Sequence, residues 1–233
     1  MTRPSPAARV AGLSSHIFLS ANYAIISKLP ELKKIFEEMW RYYDLYLEKA
    51  MDLPYWSTEM DLAGKMAMAA YRLDYPAALE FYPEKSKGRG RADLWLFFSR
   101  RKNLVVEAKR DETISIKSES GTISGNVKWY LRGADNQTRK YLKMLESKPS
   151  WYASIVFIQI YIPVTDMAGD YDNMVQKLLR KCKDIAMDYK NKISFLAYYF
   201  LDKDIIEKED FEVSNAYYPG VVISGRTRPI TPK

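Results

Sequence analysis

The sequence predicts an α/β fold in which helices flank a central mixed β-sheet. Segments with apolar residues at three- and four-residue spacing alternate with strand-like segments along the chain, as in α/β domains. The run WYASIVFIQIYIPV, residues 151–164, is too long and too apolar for an edge strand and predicts a buried central strand. The 233 residues contain no internal repeat and no convincing linker, so we expect one domain over 1–233.

Each predicted element has its own local pattern. Helical spacing of apolar residues predicts helices at 30–52, 58–73, 129–147 and 171–190, and Ser57 can cap the second of them. Runs rich in β-branched and aromatic residues predict strands at 77–84, 91–98, 103–111, 151–164, 192–202 and 219–224. The polar stretch 112–128 contains Gly121 and Gly125 and predicts a loop or a flap-like hairpin.

The composition excludes several kinds of site. Cys182 is the single cysteine and His16 the single histidine, which excludes an intramolecular disulfide framework and the usual Cys/His zinc sites. We expect Cys182 to pack in the core and His16 to have a structural or surface role. Because a catalytic metal must then bind carboxylates and carbonyls, magnesium, manganese or calcium is expected rather than zinc.

Charge and hydropathy bear on the partners. The net charge of +7 favours a polyanionic partner such as nucleic acid. Polar residues interrupt the mildly apolar stretch near the N-terminus, which makes it a poor secretory signal. No run approaches the roughly 18 apolar residues of a transmembrane helix. We therefore expect a cytoplasmic protein without a membrane partner.

Three charged residues interrupt two apolar strands that form a predicted β-hairpin. Alternation puts Asp93 on one face of the first of these strands, and Glu107 and Lys109 on one face of the other. If the chain reverses at Arg100, Asp93 faces Glu107. Facing carboxylates repel each other, and a bound divalent cation or a shared proton would offset that repulsion. The alternative is a surface ion pair between Glu107 and Lys109, with Asp93 in solvent.

The segments ADLWLFF and LVVEAK resemble the hairpin core of the PD-(D/E)XK nucleases. Asp93 matches the motif aspartate and Glu107-Ala108-Lys109 matches (D/E)-x-K, while Ala92 stands where the motif has proline. The resemblance implies Mg²⁺, with Mn²⁺ as a substitute, bound by Asp93, Glu107 and the Ala108 carbonyl. It also implies that Lys109 positions or activates the attacking water.

The same resemblance implies a particular organisation of the chain. A restriction-endonuclease-like catalytic core would span 57–165, and an added N-terminal helix would lie in an extension over 1–55. A C-terminal helix and strands over 166–233 would complete the fold.

A second motif lies on the helix that follows the hairpin. Gln137 and Tyr141 in NQTRKY match the Q-x-x-x-Y motif of the RecB-like and lambda-exonuclease-like branch, which implies that both belong to the catalytic site. Residues four apart share a helix face, and a glutamine on an apolar face needs a hydrogen-bond partner. The alternative is a glutamine whose hydrogen bonds are satisfied elsewhere or by solvent.

The helix before the hairpin often supplies a further acidic residue in this superfamily. Glu59 is the residue we expect there, because it opens the helix that precedes the first strand. Asp61 and Glu80 are the competing candidates. Glu59 and Asp61 can also be explained by the favourable interaction of acidic side chains with a helix N-terminus.

The implied activity is metal-assisted hydrolysis of phosphodiester bonds, with DNA as the expected substrate. Four cations are expected to bind the phosphate backbone, namely Lys85, Lys87, Arg89 and Arg110. One alternative is a non-catalytic nucleic-acid-binding or regulatory protein that kept the fold. Another is a subunit of a homo-oligomer or of a complex with a helicase-type partner. DNA, RNA, single strands and duplexes all fit these residues, as do exonuclease and endonuclease action.

Overall fold

The computed structural model describes residues 14–19, 29–50, 58–81, 92–110, 113–145, 149–188, 195–208 and 212–230. These residues form a mixed β-sheet with helices on both faces, which confirms the predicted α/β class. The helices are α1 (Pro30–Ala50), α2 (Glu59–Arg72), α3 (Ser120–Met144), α4 (Tyr171–Asp188) and α5 (Lys203–Lys208). The strands are β1 (Ser14–Leu19), β2 (Ala77–Phe81), β3 (Ala92–Ser99), β4 (Lys102–Arg110), β5 (Ile114–Ser115), β6 (Trp151–Pro163), β7 (Phe195–Leu201), β8 (Glu212–Val213) and β9 (Ala216–Pro229).

Seven strands form the main sheet in the order β1-β7-β9-β6-β4-β3-β2. The short strands β5 and β8 pair with β6 and β9. The β4–β6 and β5–β6 pairs are parallel, whereas the other pairs are antiparallel. Because β6 has a partner on each side and is buried along most of its length, the predicted central strand is confirmed.

Two pairs of helices cover opposite faces of this sheet. The aromatic side of α1 packs on β7, where the Phe36 and Phe195 rings are 5.4 Å apart. On the other face, Cys182 of α4 is buried beside Leu196 and Ile158. Phe195 and Leu196 are adjacent in β7, so their side chains point to opposite faces. The expectation that Cys182 packs in the core is therefore confirmed.

The helix α3 begins at Ser120, so the predicted loop or hairpin over 112–128 is wrong for its second half. Ile123, Val127 and Leu131 recur at four-residue spacing and are all buried. Burial of this apolar stripe on the sheet outweighs the low helix propensity of Gly121 and Gly125. An added Cβ on either glycine would meet nothing within 4 Å.

Two further differences lie near the N-terminus. The N-cap of α2 is Thr58 rather than Ser57, because the Thr58 side chain accepts from the Asp61 N–H while Asp61 accepts from the Thr58 N–H. The extension expected to be helical contains β1, which pairs with β7 at the sheet edge. His16 lies in β1, but its side chain is outside the described part of the structure.

None of the helices in the described residues is long and apolar enough to cross a membrane.

Candidate active site

The β3–β4 hairpin brings Asp93 and Glu107 together. Leu94 pairs with Val106, so the predicted register is present, and Asp93 and Glu107 are the next residues in line. Both carboxylates are buried, with exposed fractions of 7% and 1%. The alternative in which Asp93 faces solvent is therefore wrong.

The Asp93 carboxylate is fixed to the backbone of the neighbouring strand. Its Oδ2 accepts a hydrogen bond of 2.8 Å from the Ala108 N–H. The N–H and C=O of one strand residue point to the same neighbouring strand. The Ala108 carbonyl, a predicted metal ligand, therefore points to the side of β4 on which Asp93 lies.

The pKa of Glu107 is strongly raised. Burial, followed by repulsion from Asp93, raises the pKa of its carboxyl from 4.5 to about 7, although Lys109 and Tyr141 act to lower it. Its Oε2 is buried and has no hydrogen-bond partner among the residues that the structure describes. A buried oxygen without a partner is costly, and either a proton or a bound cation would satisfy it.

Lys109 links two acidic side chains. Its Nζ lies 2.9 Å from Glu107 Oε1 and 2.9 Å from Glu59 Oε1. Burial lowers the pKa of this ammonium, but the two glutamates reverse that effect and leave the pKa above its ordinary value. Lys109 therefore stays charged at neutral pH and offsets part of the negative charge of the carboxylate pair.

Glu59 is the acidic residue of α2 that reaches the site, whereas its rival Asp61 serves the capping box. The Glu59 carboxylate also accepts from the Arg110 N–H at 3.4 Å. The other rival, Glu80, lies on β2 in the register position opposite Asp93. Its backbone has a φ of 47°, and the β2–β3 ladder is interrupted at that residue.

The helix α3 brings Gln137 and Tyr141 to the same place. Tyr141 is buried against Ala92 and Val105, and its side chain interacts with the Glu107 carboxyl. Gln137 is half-buried and lines an open cleft of about 640 Å³ together with Lys109. The two residues of the second motif therefore lie beside the residues of the first.

Arg110, one of the predicted phosphate contacts, is not brought to this cleft. Arg110 follows Lys109 in β4, so its side chain points to the opposite face of the sheet. There its guanidinium donates to Gln159 Oε1 at 2.6 Å. Lys85, Lys87 and Arg89 lie outside the described residues.

A buried polar row continues from Glu107 across the sheet. Glu107 pairs with Ser154 of β6, and Ser154 pairs with Arg226 of β9. Asp135 of α3 accepts from Ser154 Oγ at 2.8 Å and forms an ion pair with Arg226. These contacts hold α3, and with it Gln137, against β6 and β9, and β6 is the neighbour of β4, which carries Glu107.

The residues of the site fit a hard divalent cation. No three acidic, histidine or cysteine side chains converge on one point within the described part of the chain. Magnesium needs fewer, because one or two carboxylates suffice when waters and substrate phosphates complete its coordination. Asp93, Glu107 and the Ala108 carbonyl supply such a set, and the Glu107 Oε2 without a partner is the oxygen that a cation would satisfy.

We expect the raised pKa of Glu107 to make the metal-free protein less stable as the pH rises. The folded state binds this proton more tightly than the unfolded state, so stability falls as the pH rises through the interval between 4.5 and about 7. The loss is on the order of 3 kcal/mol. Urea unfolding in EDTA of the wild type and the Glu107→Gln variant, at about pH 5 and about pH 8, measures it.

The Glu107→Gln variant has no titrating group at this position. The free energy of unfolding of the variant minus that of the wild type should therefore be larger at the higher pH than at the lower pH. A difference in stability that is the same at both pH values would contradict the assigned pKa.

The arrangement combines a buried carboxylate pair, a charged lysine and an open cleft. A divalent cation held by the pair would lie close to Lys109 and to any phosphate in the cleft, which is the geometry that metal-assisted hydrolysis requires. Comparisons of the chain with family models, with curated proteins and with solved structures gave no match.

Proposed function

We propose that this chain is a metal-dependent nuclease that hydrolyses phosphodiester bonds, with DNA as its expected substrate. The observation that carries the proposal is the burial of Asp93 and Glu107 side by side, with the Lys109 ammonium 2.9 Å from Glu107. Burial of two acids is unfavourable unless something binds between or beside them. If the role of these two residues were only structural, apolar residues would fill the same buried space at a lower cost in free energy.

The fold around the site supports a restriction-endonuclease-like core. The helix α2 precedes the hairpin and brings Glu59 to Lys109, and α3 follows it and carries Gln137 and Tyr141. This is the order of elements that the resemblance to the PD-(D/E)XK nucleases implies. The position of the Q-x-x-x-Y residues supports the RecB-like and lambda-exonuclease-like branch.

In the proposed mechanism Asp93, Glu107 and the Ala108 carbonyl hold Mg²⁺. The bound ion supplies polarisation of the scissile phosphate and a lowered pKa for the attacking water. Lys109 keeps its positive charge beside the reacting phosphate and donates hydrogen bonds to the developing negative charge. Glu59 orients Lys109 by ion pairing with its Nζ, and Tyr141 favours the ionised form of Glu107.

A cleavage panel tests the proposal. Linear and circular DNA, as single strands and as duplexes, and RNA are incubated with the protein and Mg²⁺, Mn²⁺ or EDTA. We expect cleavage with either metal and none in EDTA. Nucleic acid that is bound but never cut under any of these conditions would instead favour a non-catalytic binding protein.

A further inference from the structure

An exposed tryptophan lies at the mouth of the candidate active site. Trp129 of α3 is 71% exposed, although tryptophan is among the residues that proteins usually bury most. Its ring meets Tyr130 in an edge contact, with centroids 4.8 Å apart and an interplanar angle of 88°. The indole is thus supported from one side and open to solvent.

Trp129 lines the same cleft as Lys109. The cleft has a volume of about 640 Å³, and its walls include Trp129, Arg132, Asn136 and Gln137. That volume lies within the range of pockets that hold small organic ligands. The cleft is therefore lined by an aromatic ring, a guanidinium and the proposed catalytic lysine. The ring suits a planar base, and the two cations suit the phosphate attached to it.

The outer face of α3 is strongly basic. Five exposed cations lie along it, namely Lys128, Arg132, Arg139, Lys140 and Lys143. Within α3, whose residues are all described, Asp135 is the single carboxylate, and it is buried and paired with Arg226. The residues of α3 on this face therefore carry a net positive charge beside the cleft, as a surface that binds a nucleic-acid backbone requires.

We propose that this cleft binds an unpaired nucleotide, whose base stacks on Trp129 and whose backbone follows the basic face of α3. Bases inside a duplex are already stacked on each other, so an open indole selects single strands, ends or extruded bases. The proposed substrate of the nuclease is therefore single-stranded. This inference rests on the proposed function, because the nucleotide beside Lys109 is taken to carry the scissile phosphate.

Binding measurements in EDTA test the proposal without requiring cleavage. The probes are a fluorescein-labelled DNA single strand of about 16 nucleotides and the DNA duplex of the same sequence. We expect the wild type to bind the single strand more tightly than the duplex. Trp129→Ala should weaken single-strand binding about fivefold or more, because the stacking of a base on the aromatic ring is lost, and Trp129→Phe should retain part of the affinity.

A second variant blocks the cleft without altering Trp129. An added Cβ at Gly133 meets nothing within 4 Å, so Gly133→Leu should fold and extend its side chain into the cleft. We expect it to weaken single-strand binding several-fold. Tyr71→Ala is the matched control, because Tyr71 is 77% exposed on α2 and is not among the residues that line the cleft, and it should bind like the wild type.

Three results would overturn the inference. The wild type could bind the duplex as tightly as the single strand, or it could bind neither probe. The Trp129→Ala and Gly133→Leu variants could also bind the single strand as tightly as the wild type does. If metal-dependent cleavage persists in those cases, the nuclease proposal stands and only the assigned substrate is wrong. If single-strand binding depends on Trp129 but no metal supports cleavage, the cleft binds single strands and the nuclease proposal fails.

Discussion

Replacing Asp93 with asparagine is expected to reduce Mg²⁺-dependent cleavage by at least about a thousandfold. Asparagine has the same shape, and its oxygen can still accept from the Ala108 N–H, so the hairpin should keep its register. The change removes one of the two negative charges that would hold the cation. Steady-state cleavage of a labelled substrate measures the effect, and circular dichroism checks the fold.

Asp61→Asn is the matched control for this variant. Asp61 is an exposed aspartate of α2 whose carboxylate bonds to Thr58 in the capping box rather than to the site. Its replacement should weaken only the capping box of α2 and leave cleavage unchanged. Cleavage by Asp93→Asn at the wild-type rate would remove Asp93 from the metal site.

Replacing Lys109 with methionine is expected to reduce cleavage at least about a hundredfold while metal binding persists. Methionine keeps much of the side-chain volume but has no charge to stabilise the nucleophile or the phosphate. Loss of the ammonium leaves Glu107 and Glu59 without their shared cation, which should strengthen their attraction for a metal ion. Cleavage and Mn²⁺ affinity, measured on the same preparation, separate these two roles.

Lys102→Met controls for the loss of a lysine on the same strand. Lys102 stands at the other end of β4 and pairs with Glu31 at 2.7 Å, away from the carboxylate pair. This variant should cut like the wild type. If Lys109→Met also cut like the wild type, or if it lost metal binding together with cleavage, the assigned role of Lys109 would be wrong.

The core of the candidate site could be predicted because it depends on local rules. Alternation along the strands put Glu107 and Lys109 on one face, and a reversal assumed at Arg100 put Asp93 beside Glu107. Four-residue spacing likewise put Gln137 and Tyr141 on one face of a helix. Each of these relations involves residues close in sequence, so a single chain contains the necessary signal.

Contacts between distant segments could not be predicted in the same way. Asp135, Ser154 and Arg226 meet only because α3 crosses β6 and β9 is the neighbour of β6. Nothing in the local pattern of any of the three residues indicates its partners. The basic outer face of α3 was missed although Arg132, Arg139, Lys140 and Lys143 all lie in the predicted helix 129–147, because cations are ordinary on the solvent-exposed face of a helix.

Other differences from the sequence-based expectations also have an identifiable physical reason. Arg110 was expected to contact the phosphate backbone, but the alternation of β4 turns its side chain to the sheet face opposite the cleft. The strand β1 was not predicted, because an edge strand gains its stability from pairing with β7 rather than from a strong pattern of its own.

A Mn²⁺ titration tests most directly whether Asp93 and Glu107 bind a divalent cation. Electron paramagnetic resonance of free Mn²⁺ reports binding to the wild type and to Glu107→Gln under the same conditions. We predict saturable binding to the wild type and affinity at least about tenfold weaker in the variant, because one ligand charge is lost. Equal binding to both proteins, or no binding to the wild type while nucleic acid still binds, would contradict the claim.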